Sequence, residues 1–133
     1  MITAVDTNIL LDVFGADAKF GRASAAALKR CIGEGAIVAC DIVWAETAAV
    51  FSSHPQFLEA METLGMVYSP MDRESAFQAG AAWRAYRAKG GRRGRVAADF
   101  LIGAHALVQC ERLLTRDRGF YRGYFTGLKV LEP

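Results

Sequence analysis

The apolar runs of this chain are short, and their brevity constrains the fold more than any other feature. Ile2-Thr3-Ala4-Val5, Ala36-Ile37-Val38-Ala39-Cys40, Met66-Val67-Tyr68, Arg112-Leu113-Leu114-Thr115 and Lys129-Val130-Leu131 read as strands. They are too brief and too continuously apolar for an open antiparallel sheet, whose strands alternate a wet face with a buried one. Stretches with helical spacing stand between them, such as residues 20–32, where Ala25, Leu28 and Ile32 recur on one stripe. Strand and helix alternate throughout. The pattern predicts an α/β domain, a short parallel sheet of four to five strands between layers of helices.

Further helices are expected over residues 8–13, 42–51, 55–64, 97–109 and from Asp72 or Ser75 to Lys89. Asp41 is the expected N-cap of the second of these, and Pro55 occupies the first turn of the third. Gly33-Glu34-Gly35, Gly65 and Gly90-Gly91 mark stops. Neither an internal repeat nor a linker-like tract interrupts the 133 residues, so one domain spanning 1–133 is expected.

Composition narrows the class. A chain 53% hydrophobic and 23% charged can bury a core and is unlike a disordered one. The net charge of +2 does not mark a nucleic-acid binder, but its distribution is uneven. Arg84, Arg87, Lys89, Arg92, Arg93 and Arg95 follow one another without an acid, and Arg112, Arg116, Arg118 and Arg122 form a second basic stretch. Cys31, Cys40 and Cys110 are odd in number and hold no Cys-x-x-Cys pair, which suits buried thiols in a reducing compartment. The N-terminal apolar run lacks a basic leader, and none approaches the ~18 residues of a membrane span. A cytoplasmic protein without a membrane partner is expected.

Four acids then stand out. Asp6 closes the first strand, Glu46 lies on the expected apolar stripe of its helix with Ile42, Val43, Ala49 and Val50, Asp99 sits among Val96, Ala97, Phe100 and Leu101, and Asp117 follows Leu114-Thr115. Each has an ordinary reading: a cap, a buried ion pair, a helix-dipole partner, a turn. Together they are harder to explain, because half-buried carboxylates repel and resist desolvation. Asp6 and Asp117 fall at the carboxyl ends of strands, where α/β sheets bind ligands. Gly103, Ala106 and Cys110 share a stripe with Asp99, and such small side chains leave space for a hydrated ion or a phosphate. His105 reads as a packing residue, His54 has no partner at ligand spacing, and Asp12 reads as a solvated helix end. An oxygen-only donor set suits Mg²⁺ or Mn²⁺, which can activate water and clamp a phosphodiester.

The blocks Val5-Asp6-Thr7-Asn8-Ile9-Leu10, Trp44-Ala45-Glu46, Ala98-Asp99-Phe100-Leu101-Ile102-Gly103-Ala104-His105-Ala106-Leu107 and Leu114-Thr115-Arg116-Asp117-Arg118-Gly119-Phe120 resemble, in order, those of PIN-domain nucleases. The likeness is greatest to the VapC toxins of type II toxin–antitoxin modules, and it covers essentially the whole chain. It implies a PIN-like three-layer α/β/α sandwich and a Mg²⁺- or Mn²⁺-dependent endoribonuclease. The acidic tetrad would be Asp6, Glu46, Asp99 and Asp117. The resemblance further implies that Asp6 and Asp99 are the principal metal ligands. Glu46 and Asp117 would act through water, with Asn8 and Thr115 ordering the surrounding polar shell. It also implies a homodimer and a VapB-type antitoxin that covers the site.

Arg92, Arg93, Arg95, Arg116 and Arg118 are candidate RNA contacts, with a solvated basic face as the alternative. Two other readings compete with the nuclease. One is a PIN-like module that binds RNA or protein without cutting. The other is an aspartyl-phosphate phosphatase, which needs a second Asp where this chain has Asn8.

Overall fold

A computed structural model describes residues 1–91 and 97–133. The elements, in chain order, are β1 (Ile2–Val5), α1 (Thr7–Phe14), α2 (Gly21–Glu34), β2 (Ala36–Ala39), α3 (Asp41–Ala48), α4 (His54–Leu64), β3 (Val67–Tyr68), α5 (Arg73–Ala88), α6 (Ala97–Gln109), β4 (Arg112–Leu114), α7 (Arg118–Tyr124) and β5 (Val130–Leu131). The five strands form one sheet, ordered β3-β2-β1-β4-β5, and every pairing is parallel. Consecutive residues Thr3, Ala4 and Val5 are all buried, as are Leu113 and Leu114, so both faces of the central strands are covered. The α/β architecture expected from the sequence is the one observed.

The strand order matters for function. The chain winds outward from β1 through β2 to β3, then returns to lay β4 on the other side of β1. That reversal opens a crevice past the carboxyl ends of β1 and β4, the place where such sheets hold ligands. The backbone N–H of Asp6 donates to the Leu114 carbonyl at 2.9 Å, so the two strand ends enter the crevice side by side.

Several helices differ from expectation in informative ways. Cys40, not Asp41, is the N-cap of α3; its extended backbone lets its carbonyl accept from Trp44 N–H at 2.8 Å, one residue earlier than expected. Helix α2 continues through Gly33 and stops at Gly35, whose φ of 155° and contact with the Met1 carbonyl leave no room for a side chain. It buries Ser24, Ala27, Leu28 and Cys31, while Ala25 and Ile32 are exposed. Asp72 resolves the start of α5 by accepting from Ser75 N–H at 2.8 Å. Helix α7 was not expected at all. Its segment Arg-Gly-Phe-Tyr-Arg-Gly-Tyr has little helical propensity and is held by burial of Tyr121.

Aromatic rings join three helices. Trp83 on α5 stacks on Phe100 of α6 at 6.1 Å between centroids, and Phe100 meets Phe120 of α7 edge-on at 5.2 Å. Phe120 in turn contacts Tyr121 at 5.2 Å. The three cysteines are free, Cys31 and Cys40 buried and Cys110 half-buried. Among the described residues no helix is long and apolar enough to cross a membrane.

Candidate functional site

Asp6 sits just past the carboxyl end of β1, beside the end of β4. It caps α1 directly after β1, and the residue is 5% exposed. Its Oδ1 accepts from the Thr7 backbone N–H at 2.7 Å. Its Oδ2 accepts from Thr115 Oγ1 at 2.7 Å and from the Tyr121 hydroxyl at 3.2 Å, with Asn8 Nδ2 at the longer distance of 3.5 Å. Burial nevertheless dominates and, with a smaller push from Asp99, raises the Asp6 carboxyl to about 6 against these donors.

The other acids are tied to this centre in different ways. Thr7 Oγ1 donates to a Glu46 carboxylate oxygen at 2.6 Å, so one threonine anchors both Asp6 and Glu46. Asp99 lies in the first turn of α6, half-buried, close enough for its charge to act on Asp6. Asp117 N–H donates to Thr115 Oγ1 at 2.9 Å, the same hydroxyl that donates to Asp6. Burial and the charges of Asp6, Asp99 and Asp117 all push the Tyr121 phenol above its ordinary range, which keeps it a donor. The other three acids therefore connect to Asp6: Glu46 through Thr7, Asp117 by its backbone N–H through Thr115, and Asp99 through its charge.

The structure corrects three features of the expected site. Glu46 is exposed and does not replace a core side chain; Val43 and Thr47 take the buried positions of α3. Apolar residues surround that short helix, so its buried side was not defined by spacing. Gly103 does not leave room for an ion, because the Phe125 ring fills the place where a Cβ would stand. Asp12 is not a solvated helix end: it is 4% exposed, accepts from Ser24 Oγ at 2.7 Å and pairs with Arg116.

The basic groups also differ from a free cationic surface. Arg116 Nε and Nη2 grip Asp12 at 2.7 and 3.1 Å, and its guanidinium lies 4.1 Å over the Phe20 ring. Arg118 pairs with Glu132 at 2.9 Å. Arg112 is buried between Thr3 and Glu34. Arg92, Arg93 and Arg95 lie outside the described residues.

The family model of the PIN domain matches residues 3–125. The chain belongs to the PIN-domain family. Its fold is shared by VapBC2 from Rickettsia felis bound to a promoter DNA fragment, with a TM-score of 0.75 at 20% identity over 99% of this chain and 98% of that one. VapBC-1 from nontypeable Haemophilus influenzae gives 0.73 at 20% identity over 99% and 98%, and VapBC-5 from Mycobacterium tuberculosis gives 0.62 at 18% over 99% and 98%. At these identities the likeness establishes the fold. No curated protein matches the chain in sequence.

The donor chemistry of this PIN domain fits a hard divalent cation. Every acid of the centre offers carboxylate oxygen, and Asp6 is a buried carboxylate whose charge the protein alone disfavours. Among the described residues no group of three His, Cys, Asp or Glu side chains is placed to hold a metal ion. Mg²⁺ does not require one, since it retains several waters and uses one or two carboxylates directly. His105 stands apart from this centre, buried and bonded to Ser69 Oγ at 2.9 Å, with burial lowering its basicity.

Two members of the PIN-domain site were missed in sequence reading. Thr7 gave no signal beyond lying between Asp6 and Asn8, and Tyr121 read as an aromatic that either packs in the core or stacks on an RNA base, with nothing to tie it to Asp6. A helix at 118–124 would have pointed to Tyr121, since it turns that side chain back toward β1.

Proposed function

We propose that this PIN domain is a Mg²⁺- or Mn²⁺-dependent endoribonuclease and the toxin of a VapBC-type toxin–antitoxin module. The observation that carries this reading is the buried Asp6 carboxylate, raised to about 6 and linked to Glu46, Asp99 and Asp117 at the carboxyl ends of β1 and β4. Asp6 and Asp99 would hold the ion, with Glu46 and Asp117 acting through its waters. A bound divalent ion would supply a water of lowered pKa and neutralise charge on a phosphodiester.

The remaining work falls to the chain. Thr115 and the Thr7 backbone hold the two Asp6 oxygens in fixed directions. Thr7 Oγ1 steers the exposed Glu46 toward the same centre. Tyr121, kept protonated, donates to Asp6 and closes its inner side from solvent. An RNA strand meets a negative centre here, so cationic groups outside it must carry its phosphates. Trp83, Arg84 and Arg87 line an open cavity of about 560 Å³ on α5, where neither arginine is ion-paired among the described residues. The VapBC structures that share the fold support a VapB-type antitoxin as partner, and a cytoplasmic homodimer accords with that role.

Purified protein incubated with RNA tests the reading. Cleavage should require Mg²⁺ or Mn²⁺, stop with EDTA, and vanish in Asp6→Asn and Asp99→Asn. Expression without an antitoxin should arrest growth, and folded variants of equal toxicity would refute catalysis by these acids. The absence, among the described residues, of three His, Cys, Asp or Glu side chains grouped to hold a metal ion favours one second reading, a PIN-like module that binds RNA or protein without cutting. RNA retained in gel shifts but left intact in Mg²⁺ and Mn²⁺ would establish that module instead.

A further inference from the structure

We infer that the ion pair between buried Asp12 and half-buried Arg116 positions the Thr115–Asp117 loop over Asp6 and thereby sets the catalytic centre, an inference that rests on the nuclease reading above. Asp12 lies on α1, nearly two turns beyond the Asp6 cap, and Ser24 of α2 holds its Oδ2 at 2.7 Å. Arg116 reaches it from the loop after β4 with two prongs, at 2.7 and 3.1 Å. Its guanidinium also rests on the Phe20 ring, so its plane is fixed as well as its charge.

The pair is placed to act on the loop backbone. Arg116 N–H donates to Asn8 Oδ1 at 3.3 Å, and the residues on either side are Thr115 and Asp117. Thr115 donates to Asp6, and Asp117 N–H donates to Thr115. If Arg116 let go of Asp12, the ion pair that joins this loop to α1 would be lost, leaving among the described residues the hydrogen bonds to Asn8 and Asp6. Arg116 thus stands between Thr115, which donates to the catalytic carboxylate, and Asp117, whose N–H donates to that same threonine hydroxyl. Asp12 and Arg116 are positioning residues, acting through Thr115 and Asp117.

Arg116→Lys, Arg116→Gln, Asp12→Asn and the double variant Asp12→Asn/Arg116→Gln test this by amide hydrogen exchange and RNA cleavage. Arg116→Lys keeps a positive charge beside buried Asp12, so it should fold even if the neutral variants do not, yet it loses the two-pronged grip. Exchange should quicken about tenfold at the Arg116 and Asp117 amides, with Leu113, bonded to Lys129 in β4, unchanged. On RNA, kcat should fall about tenfold or more with KM within about twofold, Lys should lose less than Gln, and the double variant no more than the worse single.

Unchanged exchange at those two amides would overturn the inference, as would single and double losses that simply add. So would a fall in melting temperature with kcat intact. If the loop loosens as expected while wild-type protein never cuts RNA, the nuclease reading fails and the clamp on the loop stands.

Discussion

Thr115 and Asp6 are 109 residues apart in sequence and joined by a hydrogen bond of 2.7 Å between Oγ1 and Oδ2. The bond crosses from the end of β4 to the end of β1, the point where the sheet order reverses. Thr115 is fully buried, so its hydroxyl has no water to turn to. Thr115→Val keeps the shape and deletes the donor. It should cost about 1–3 kcal/mol of stability and lower kcat about tenfold or more by releasing one Asp6 oxygen. Chemical denaturation and single-turnover cleavage check the two parts, and wild-type kcat in a folded variant would refute the second.

Asp6 makes metal-free stability depend on pH with a definite sign. Its folded value of about 6 lies above the ordinary 3.8 of an aspartate, so the folded state holds the proton more tightly. Its contribution is full below pH 4, is lost as pH rises toward 6, and is flat beyond. Asp6→Asn removes that loss and should stabilise the metal-free protein by on the order of 3 kcal/mol at pH 8, with little gain at pH 4. Denaturant melts at the two pH values in EDTA measure it. Equal effects at both would show that Asp6 is not the group responsible.

A divalent ion should reverse the same loss. At pH 8, Mg²⁺ or Mn²⁺ should raise the melting temperature of wild-type protein and leave Asp6→Asn and Asp99→Asn nearly unmoved. Calorimetry with and without EDTA reads this without any RNA. An equal rise in all three proteins would place the ion elsewhere.

Arg84 and Arg87 should govern substrate affinity and not the chemical step. Arg84→Glu and Arg87→Glu should raise KM, leave kcat within about twofold, and reduce the salt dependence of binding by about one unit of slope for each lost phosphate contact. Fluorescence-anisotropy titrations across salt concentrations decide it. An unchanged slope would mean that the strand runs over another face.

Gly103→Ala should be costly despite its small size. The added methyl overlaps the Phe125 ring, which is itself 3% exposed and cannot swing away. A loss of about 1–3 kcal/mol is expected, with partial recovery in Gly103→Ala/Phe125→Leu. Thermal melts of the two variants check it, and a stable single variant would show that the ring has room to move.

The parts of the fold legible in sequence were those set by local pattern. Continuous apolar runs revealed β1, β2 and β4, and the apolar stretch at 97–109 revealed α6 within its observed bounds. The side of α3 that faces inward was not legible, because its apolar residues surround the helix and packing alone selected Val43 and Thr47. Asp12 was misread for another reason. Its partner Arg116 lies 104 residues away, and nothing local distinguishes a clamped carboxylate from a solvated one. Within the site, Asp6 was visible by its setting at a strand end and Glu46 was singled out by an apolar stripe it does not occupy, while Thr7 and Tyr121 were hidden because threonine and tyrosine are ordinary in cores.

The ring stack from Trp83 through Phe100 and Phe120 to Tyr121 gives this protein a built-in optical reporter. Trp83 is 39% exposed, whereas Trp44, the other indole, packs on Phe57 and Tyr68. A ligand laid over α5 quenches or shifts the emission of the first indole and spares the second. Because the inner end of the stack bonds Asp6, ions that reorganise that carboxylate should register in the same emission band with no label attached.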